Sequence, residues 1–438
     1  MADRHPHLRR DIGLVGTAFV ALNGIIGAGI FALPGLLDAA VGDFAPWLIL
    51  IFGALVGTIV VCFADLARYF DRSGGAQLYA EAAFGPLVGF QTGWLLYLSR
   101  AAALGANSTV LVAYAAALWP ALAGPLATPL AILVVIGGFT AINIIGVRRA
   151  IEALSGLTLL KLAPLLLLAG WGLIETVPPP VATLPEFSAI EGIALVALYA
   201  FVGVEGANVP AGEMREPRRT LPRAMMATII GATLLYFAIQ WVYTHSAAGL
   251  TETETPLVAL GEYLAGPVGA VVIGLAAIFS IAGNIMGSVV SAPRMTFGLA
   301  EDGLLPGWFA HVSARFGTPD RSILFYGALG LTIALSGTFV LLAIVSSLSR
   351  MLSYLVCIAA LPAIRRGAGI ATTGSLGRLL RHWGILLVAA AMCLWASSQS
   401  TFEAWRALAM LVAIGVVLYA VARRPRIRDA EQDIAPPA

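Results

Sequence analysis

The sequence is poor in charged residues. Its 438 residues include 26 basic and 24 acidic side chains, which is 11% of the chain, whereas soluble domains carry about 25%. A water-soluble fold of this length would lack the polar side chains that its surface needs. The composition therefore excludes an ordinary cytoplasmic enzyme, a disordered chain and a secreted scaffold. The net charge of +2 is too small to indicate a nucleic-acid partner.

Cysteine and histidine are also scarce. The three cysteines, Cys62, Cys357 and Cys393, all lie in apolar runs, which predicts buried thiols and no disulfide framework. The five histidines are scattered through termini, loops and helix ends, so neither a metal site nor a cofactor is expected. The paired aspartates, Ser/His pairs or HExxH motif of an intramembrane protease are missing at membrane depth, and no enzyme is predicted.

Apolar residues make up 59% of the chain, and they fall into runs of the length that a spanning helix needs, roughly 20 residues. The runs predict an all-α membrane protein with 12 transmembrane helices in a single domain, 1–438. The predicted spans 1 to 12 are 12–37, 45–66, 87–118, 128–147, 152–174, 189–212, 225–246, 267–292, 322–339, 341–362, 384–399 and 404–422.

The basic residues predict the orientation. With twelve crossings, 22 of the 26 lysine and arginine residues lie on one side of the membrane, and the opposite loops hold only Arg406 as a basic exception. By the positive-inside rule, both termini are expected to be cytoplasmic. We therefore expect a multi-pass protein of a bacterial inner membrane.

Predicted spans 1 and 6 each carry a signal for a broken helix. In span 1, Gly27 precedes Pro34 by seven residues, and in span 6, Gly203 precedes Pro210 by seven. Glycine and proline at mid-membrane make a regular helix costly. The matched spacing, five helices apart, indicates a 5+5 inverted repeat over 12–174 and 189–362, followed by two C-terminal helices in 384–422. Inverted repeats with discontinuous helices are typical of secondary transporters, which bind substrate at the breaks.

The chemistry of the break in span 1 suits an amino acid. The unwound amides of Gly27, Ala28 and Gly29 are expected to donate to a carboxylate, with help from the helix dipole. Freed carbonyl groups at Ile25 and in span 6 are expected to accept from an ammonium group. Irregular backbone at this depth persists only where it lines a cavity. A nucleotide-binding loop is excluded because no Lys-Ser/Thr follows the glycines.

Four motifs together resemble the amino acid–polyamine–organocation (APC) superfamily, which has the leucine-transporter fold. They are IIGAGIF at 25–31, FVGVE at 201–205, EMREPRR at 213–219 and AEDGLLP at 300–306. The resemblance covers essentially the whole chain. By likeness to the arginine/agmatine exchanger branch, it implies that a substrate carboxylate meets the three amides named above and that the amine meets the carbonyls of Ile25, Tyr199 and Val202. That branch has a tryptophan gate where this chain has Tyr199.

Lys161 is the only lysine in the chain and lies in predicted span 5. The resemblance implies that its ammonium group takes the place of the sodium ion that related transporters bind. Ser288 and Ser291 in span 8 are the expected hydroxyl neighbours. A purely structural ammonium, satisfied by carbonyl groups, is the alternative.

Glu205 follows the break in span 6, and the resemblance aligns it with a gating glutamate that bonds to tyrosines. Tyr97 and Tyr354 are the expected counterparts. Arg100 in span 3 and Arg350 in span 10 leave two interpretations open. They form a structural Arg–Glu–Arg cluster, or Arg100 reaches the pocket and favours an acidic or polar substrate side chain.

The sequence thus predicts a sodium-independent amino acid transporter that works by alternating access, either as a proton-coupled symporter or as an exchanger. A polyamine or basic amino acid antiporter remains an alternative, as does a transporter-like nutrient receptor. The expected partners are the amino acid, the lipid bilayer and, for a symporter, protons. Both a monomer and a homodimer are compatible with the sequence.

Overall fold

The computed structural model describes residues 13–70, 74–146, 148–176, 183–208, 214, 216–246, 254–368 and 376–433. These ranges contain fourteen α-helices and no strand. The predicted all-α class is confirmed. The first half of the chain contains α1 (Leu14–Ile25), α2 (Gly29–Val41), α3 (Ala45–Leu66), α4 (Ala76–Phe84), α5 (Pro86–Leu118), α6 (Ala127–Ile145) and α7 (Arg148–Glu175). The second half contains α8 (Phe187–Tyr199), α9 (Pro217–Ser246), α10 (Pro256–Glu301), α11 (Asp320–Ser336), α12 (Phe339–Gly367), α13 (Leu376–Ser398) and α14 (Phe402–Asp433).

The outer helices present an apolar surface. Within the described ranges, eight segments are long and apolar enough to cross a membrane. Leu167 of α7 is 71% exposed and Leu387 of α13 is 65% exposed, and a continuous surface of this kind is solvated by lipid and not by water. The count of twelve crossings remains a prediction.

Two helices are interrupted near the centre of the bundle. α1 ends at Ile25 and α2 begins at Gly29, so that only residues 26–28 lie between them. α8 ends at Tyr199 and is followed by a turn and by a 3₁₀ segment, Val204–Asn208. Both interruptions lie at the glycines that the sequence indicated.

Other helix boundaries differ from the predicted ones. α2 continues through Pro34 to Val41, although Pro34, the sixth residue of the helix, cannot donate to the carbonyl of Ile30. α10 contains a non-helical kink at Ala265 and Gly266, with φ 63° at Gly266, so the predicted start of span 8 at 267 coincides with the start of its second part, and the helical segment from Pro256 precedes it. The short helix α4 was not predicted because its residues are not apolar enough to form a span.

The central helices pack in pairs that place the two breaks side by side. α3 packs along α9, α5 packs along α10, and α6 packs against α11. α1 lies against the 3₁₀ segment that follows α8. Each of these pairs joins helices that are five predicted spans apart.

Candidate functional site

The two breaks are in direct backbone contact. A Cβ atom on Gly24 would lie 2.5 Å from the carbonyl oxygen of Gly203, and a Cβ atom on Gly203 would collide with the carbonyl oxygen of Gly24. Gly203 also has a φ of 118°, which L side chains rarely adopt. Only glycine fits at both positions, so these two glycines make the backbone contact between the end of α1 and the second break possible.

The other glycines of the first break are enclosed as well. A Cβ atom on Gly29 would lie 2.9 Å from the Cα atom of Ala200. A Cβ atom on Gly27 would lie 3.1 Å from Oδ1 of Asn107 and 3.2 Å from the side-chain amide of Asn284. The first break is therefore bounded by α8 on one side and by α5 and α10 on the other.

The three amides predicted to bind a carboxylate differ in their partners. The Gly27 amide donates to the carbonyl of Ile25 at 2.9 Å, and the Ala28 amide donates to Oδ1 of Asn107 at 2.7 Å. The Gly29 amide begins α2, and within the described part of the chain it has no acceptor. The Ile25 carbonyl also accepts from the hydroxyl of Tyr236 at 3.3 Å.

Two asparagines that the sequence interpretation missed tie this break to the surrounding helices. Nδ2 of Asn107 on α5 donates to Oδ1 of Asn284 on α10 at 3.0 Å. Nδ2 of Asn284 donates to the carbonyl of Asn23, before the break, at 2.6 Å. Polar side chains at mid-span are costly unless they find such partners. The sequence signal for these two residues was an asparagine in the middle of an apolar span, in spans 3 and 8.

The second break presents acceptors. Tyr199 and Val202 are buried, and among the described residues nothing donates a hydrogen bond to their carbonyl oxygens. The ring of Tyr199 packs edge-on against Phe339 at a centroid distance of 5.8 Å. The carbonyls named in the sequence interpretation therefore lie beside a break that touches the first one.

Glu205 forms a closed cluster just after the second break. Its Oε1 lies 3.2 Å from Nε of Arg350, and its Oε2 accepts from the hydroxyl of Tyr354 at 2.5 Å and from the Gly203 amide at 2.9 Å. The structure therefore brings Glu205 together with Arg350 and Tyr354.

Tyr97 is not brought to Glu205. Its ring packs between those of Trp94 and Tyr326, at centroid distances of 5.4 and 5.5 Å. In the part of the chain that is described, it makes no hydrogen bond with the carboxylate of Glu205.

Arg100 is not paired with Glu205 but lies next to Ser291. Its Nη1 donates to Oγ of Ser291 at 2.9 Å, and its carbonyl oxygen accepts from the hydroxyl of Tyr326 at 2.9 Å. The same hydroxyl shares a hydrogen bond of 2.6 Å with Ser288. The two serines expected beside Lys161 are thus engaged by α5 and α11, and the side chain of Lys161 lies outside the described residues.

The fold and the site together define a class of protein. A bundle of long apolar helices with two adjacent helix breaks, both presenting backbone polar groups, is the arrangement of a membrane transporter. The family model for amino acid permeases matches residues 12–421. The chain belongs to this family and is a multi-pass amino acid transporter, not an enzyme, which confirms the assignment to the APC superfamily.

Individual relatives agree with the family. The serine/threonine exchanger SteT of Bacillus subtilis is 30% identical over 348 residues, which cover 75% of this chain and 77% of the relative. An uncharacterized transporter of Mycobacterium tuberculosis is 28% identical over 325 residues, or 67% of each chain.

Proposed function

We propose that this amino acid transporter works without sodium, by alternating access, as an exchanger or a proton-coupled symporter. The observation that carries the proposal is the contact between the breaks at Gly24 and Gly203. It sets the open start of α2 next to the carbonyls of Tyr199 and Val202. One end of this space donates hydrogen bonds and the other accepts them, as the two charged groups of an amino acid require.

A substrate carboxylate would bind at the amides of the first break. The Gly29 amide has no acceptor among the described residues, and Ala28 would exchange the Oδ1 atom of Asn107 for a carboxylate oxygen. The Gly27 amide would be the third donor to the carboxylate once its hydrogen bond to the carbonyl of Ile25 breaks. The substrate ammonium would meet the carbonyls of Tyr199 and Val202, with that of Ile25 as a third acceptor.

We assign gating to the cluster of Glu205, Arg350 and Tyr354. Its bond to Tyr354 joins the segment after the second break to α12, so closing and opening this bond would couple movement of α8 to the bundle. Arg100, a partly buried arginine in the same region without a carboxylate partner among the described residues, would repel cationic substrates. It therefore disfavours the alternative of a polyamine or basic amino acid antiporter.

The proposed sodium independence depends on Lys161. Its ammonium group would supply the positive charge that a sodium ion supplies in related transporters. If Lys161 stays charged throughout the cycle, the protein is an exchanger, and if it releases a proton in each cycle, the protein is a symporter. The similarity to an exchanger supports exchange.

We also propose the membrane topology of the chain, with twelve spans and a 5+5 inverted repeat. Helices five predicted spans apart pack together, as expected for a 5+5 inverted repeat over 12–174 and 189–362. With the helices of 384–422, this makes twelve spans in the bacterial inner membrane, with both termini in the cytoplasm. Accessibility of single cysteines placed in the loops, in a background without the three native cysteines, would test it.

Transport is tested with the purified protein in proteoliposomes. Vesicles preloaded with amino acids should take up labelled amino acid from outside, and replacing external sodium by choline should leave the rate unchanged. An exchanger requires internal amino acid, whereas a symporter responds to a pH gradient and loses uptake with a protonophore. Uptake that depends on sodium would refute the proposal.

A further inference from the structure

The charges around the second break do not balance. Glu205 is paired with Arg350 through Oε1, by charge and without a hydrogen bond, and its Oε2 accepts from Tyr354 and the Gly203 amide. Arg350 and Glu205 are 6% and 5% exposed and neutralise each other. Arg100 then adds a positive charge for which the described residues provide no carboxylate within salt-bridge distance.

Most N–H donors of the Arg100 guanidinium group have no acceptor among the described residues. Of its five N–H groups, one donates to Ser291, and no other acceptor for its side chain occurs among the described residues. A guanidinium group within a membrane span is costly when its charge is not compensated. The site as it stands therefore favours the binding of an anion.

Arg100 also borders the break and retains accessible surface. A Cβ atom on Gly206, in the 3₁₀ segment after the second break, would lie 3.1 Å from Nη2 of Arg100. The neighbouring residues Ser99, Ala101 and Ala102 are fully buried, whereas Arg100 is only partly buried. Arg100 therefore lies against the segment that follows the second break.

We propose that Arg100 is a specificity-determining residue that binds the side-chain carboxylate of an acidic amino acid, of the aspartate or glutamate type. The inference rests on the proposed function, which assigns the substrate's own carboxylate and ammonium groups to the two breaks. Asn107 and Asn284, which border the first break, lie on the same two helices as Arg100 and Ser291, seven residues away on each. A substrate side chain that extends along α5 and α10 would reach Arg100. Arg350 leaves Arg100 free for this role because it already neutralises Glu205.

The test compares glutamate with glutamine, which have the same size and differ in one charge. In proteoliposomes, the wild type should transport glutamate with a higher kcat/KM than glutamine. Arg100→Gln should lower kcat/KM for glutamate by about 30-fold or more, as expected for the loss of one partner of a buried charge pair. Uptake of glutamine and serine should fall by a smaller factor than uptake of glutamate, and Arg100→Lys should retain part of the preference. Arg294→Ala, at an exposed arginine of α10, is the matched control. It should not change the ratio of kcat/KM for glutamate to that for glutamine.

The outcomes separate this inference from the proposed function. Wild-type uptake of neutral amino acids without acidic ones would overturn the role of Arg100 and leave amino acid transport intact. An unchanged glutamate-to-glutamine ratio in Arg100→Gln would also overturn it. A wild type that moves no amino acid at all would refute the proposed function itself. If the variant does not purify as a folded protein, glutamate competing no better than glutamine against labelled substrate in the wild type is the contradicting result.

Discussion

Replacing Glu205 by glutamine tests the buried charge cluster most directly. The substitution keeps the size of the side chain and an acceptor for the Tyr354 hydroxyl, and it removes only the negative charge. Arg350, 3.2 Å away and 6% exposed, is then left without its anion. Removing one partner of a buried ion pair costs about 3–5 kcal/mol. We expect Glu205→Gln to lower the free energy of unfolding by that amount.

A double variant separates the charge from other effects of the substitution. In Glu205→Gln combined with Arg350→Met, the unpaired cation is gone, so the double variant should be more stable than Glu205→Gln alone. The free energy of unfolding is measured for the wild type, Glu205→Gln, Arg350→Met and the double variant, by adding a denaturing detergent to the solubilised protein. Glu216→Gln is the control, since Glu216 lies 3.8 Å from Arg219 on the surface with both side chains mostly exposed, and such pairs contribute about 0–1 kcal/mol.

The transport assay assigns the role of Glu205. If the carboxylate gates, the destabilised protein should still bind amino acid with near-normal affinity while its turnover falls. Stability within about 0.5 kcal/mol of the wild type, the range of ordinary surface substitutions, would refute the account of a paired buried charge. Unchanged turnover in addition would remove Glu205 from the mechanism.

Three further substitutions test the rest of the site. Gly29→Val should abolish uptake, because its Cβ atom would lie 2.9 Å from the backbone Cα atom of Ala200 and would push the two breaks apart; wild-type uptake would contradict this. Asn107→Ala should lower the free energy of unfolding by about 1–3 kcal/mol, because it leaves the buried Ala28 amide without an acceptor, and unchanged thermal unfolding would count against it. Lys161→Ala should strongly reduce uptake in proteoliposomes, and stimulation of the wild type by sodium would speak against the assigned role of Lys161.

Much of the fold follows from local sequence properties. The predicted span 45–66 coincides with α3 (Ala45–Leu66), because an uninterrupted apolar run needs no tertiary information to be recognised. The break after Ile25 was predictable for the same reason, since Gly27 and Gly29 disfavour a regular helix on their own. α4 was missed because its residues lie outside any apolar run.

The partners within the site were harder to predict because they are far apart in the chain. Asn107 and Asn284 are separated by 177 residues, and Arg100 and Ser291 by 191. Hydropathy shows that each of these side chains needs a partner but does not tell which one. The two interpretations of Arg100 illustrate this limit, because span positions alone could not show whether Arg100 joins Arg350 at the carboxylate of Glu205 or reaches the pocket.

The contact between Gly24 and Gly203 has a consequence for how the bundle can move. Since the two backbones touch without intervening side chains, a displacement of α1 acts directly on the segment after α8. Two side-chain bonds tie α1 and the first break to α5 and α10: the one from Ala28 to Asn107 and the one from Asn284 to Asn23. Each contributes about 0.5–1.5 kcal/mol. The two bonds to α5 and α10 together therefore contribute less than the binding of one small molecule can supply.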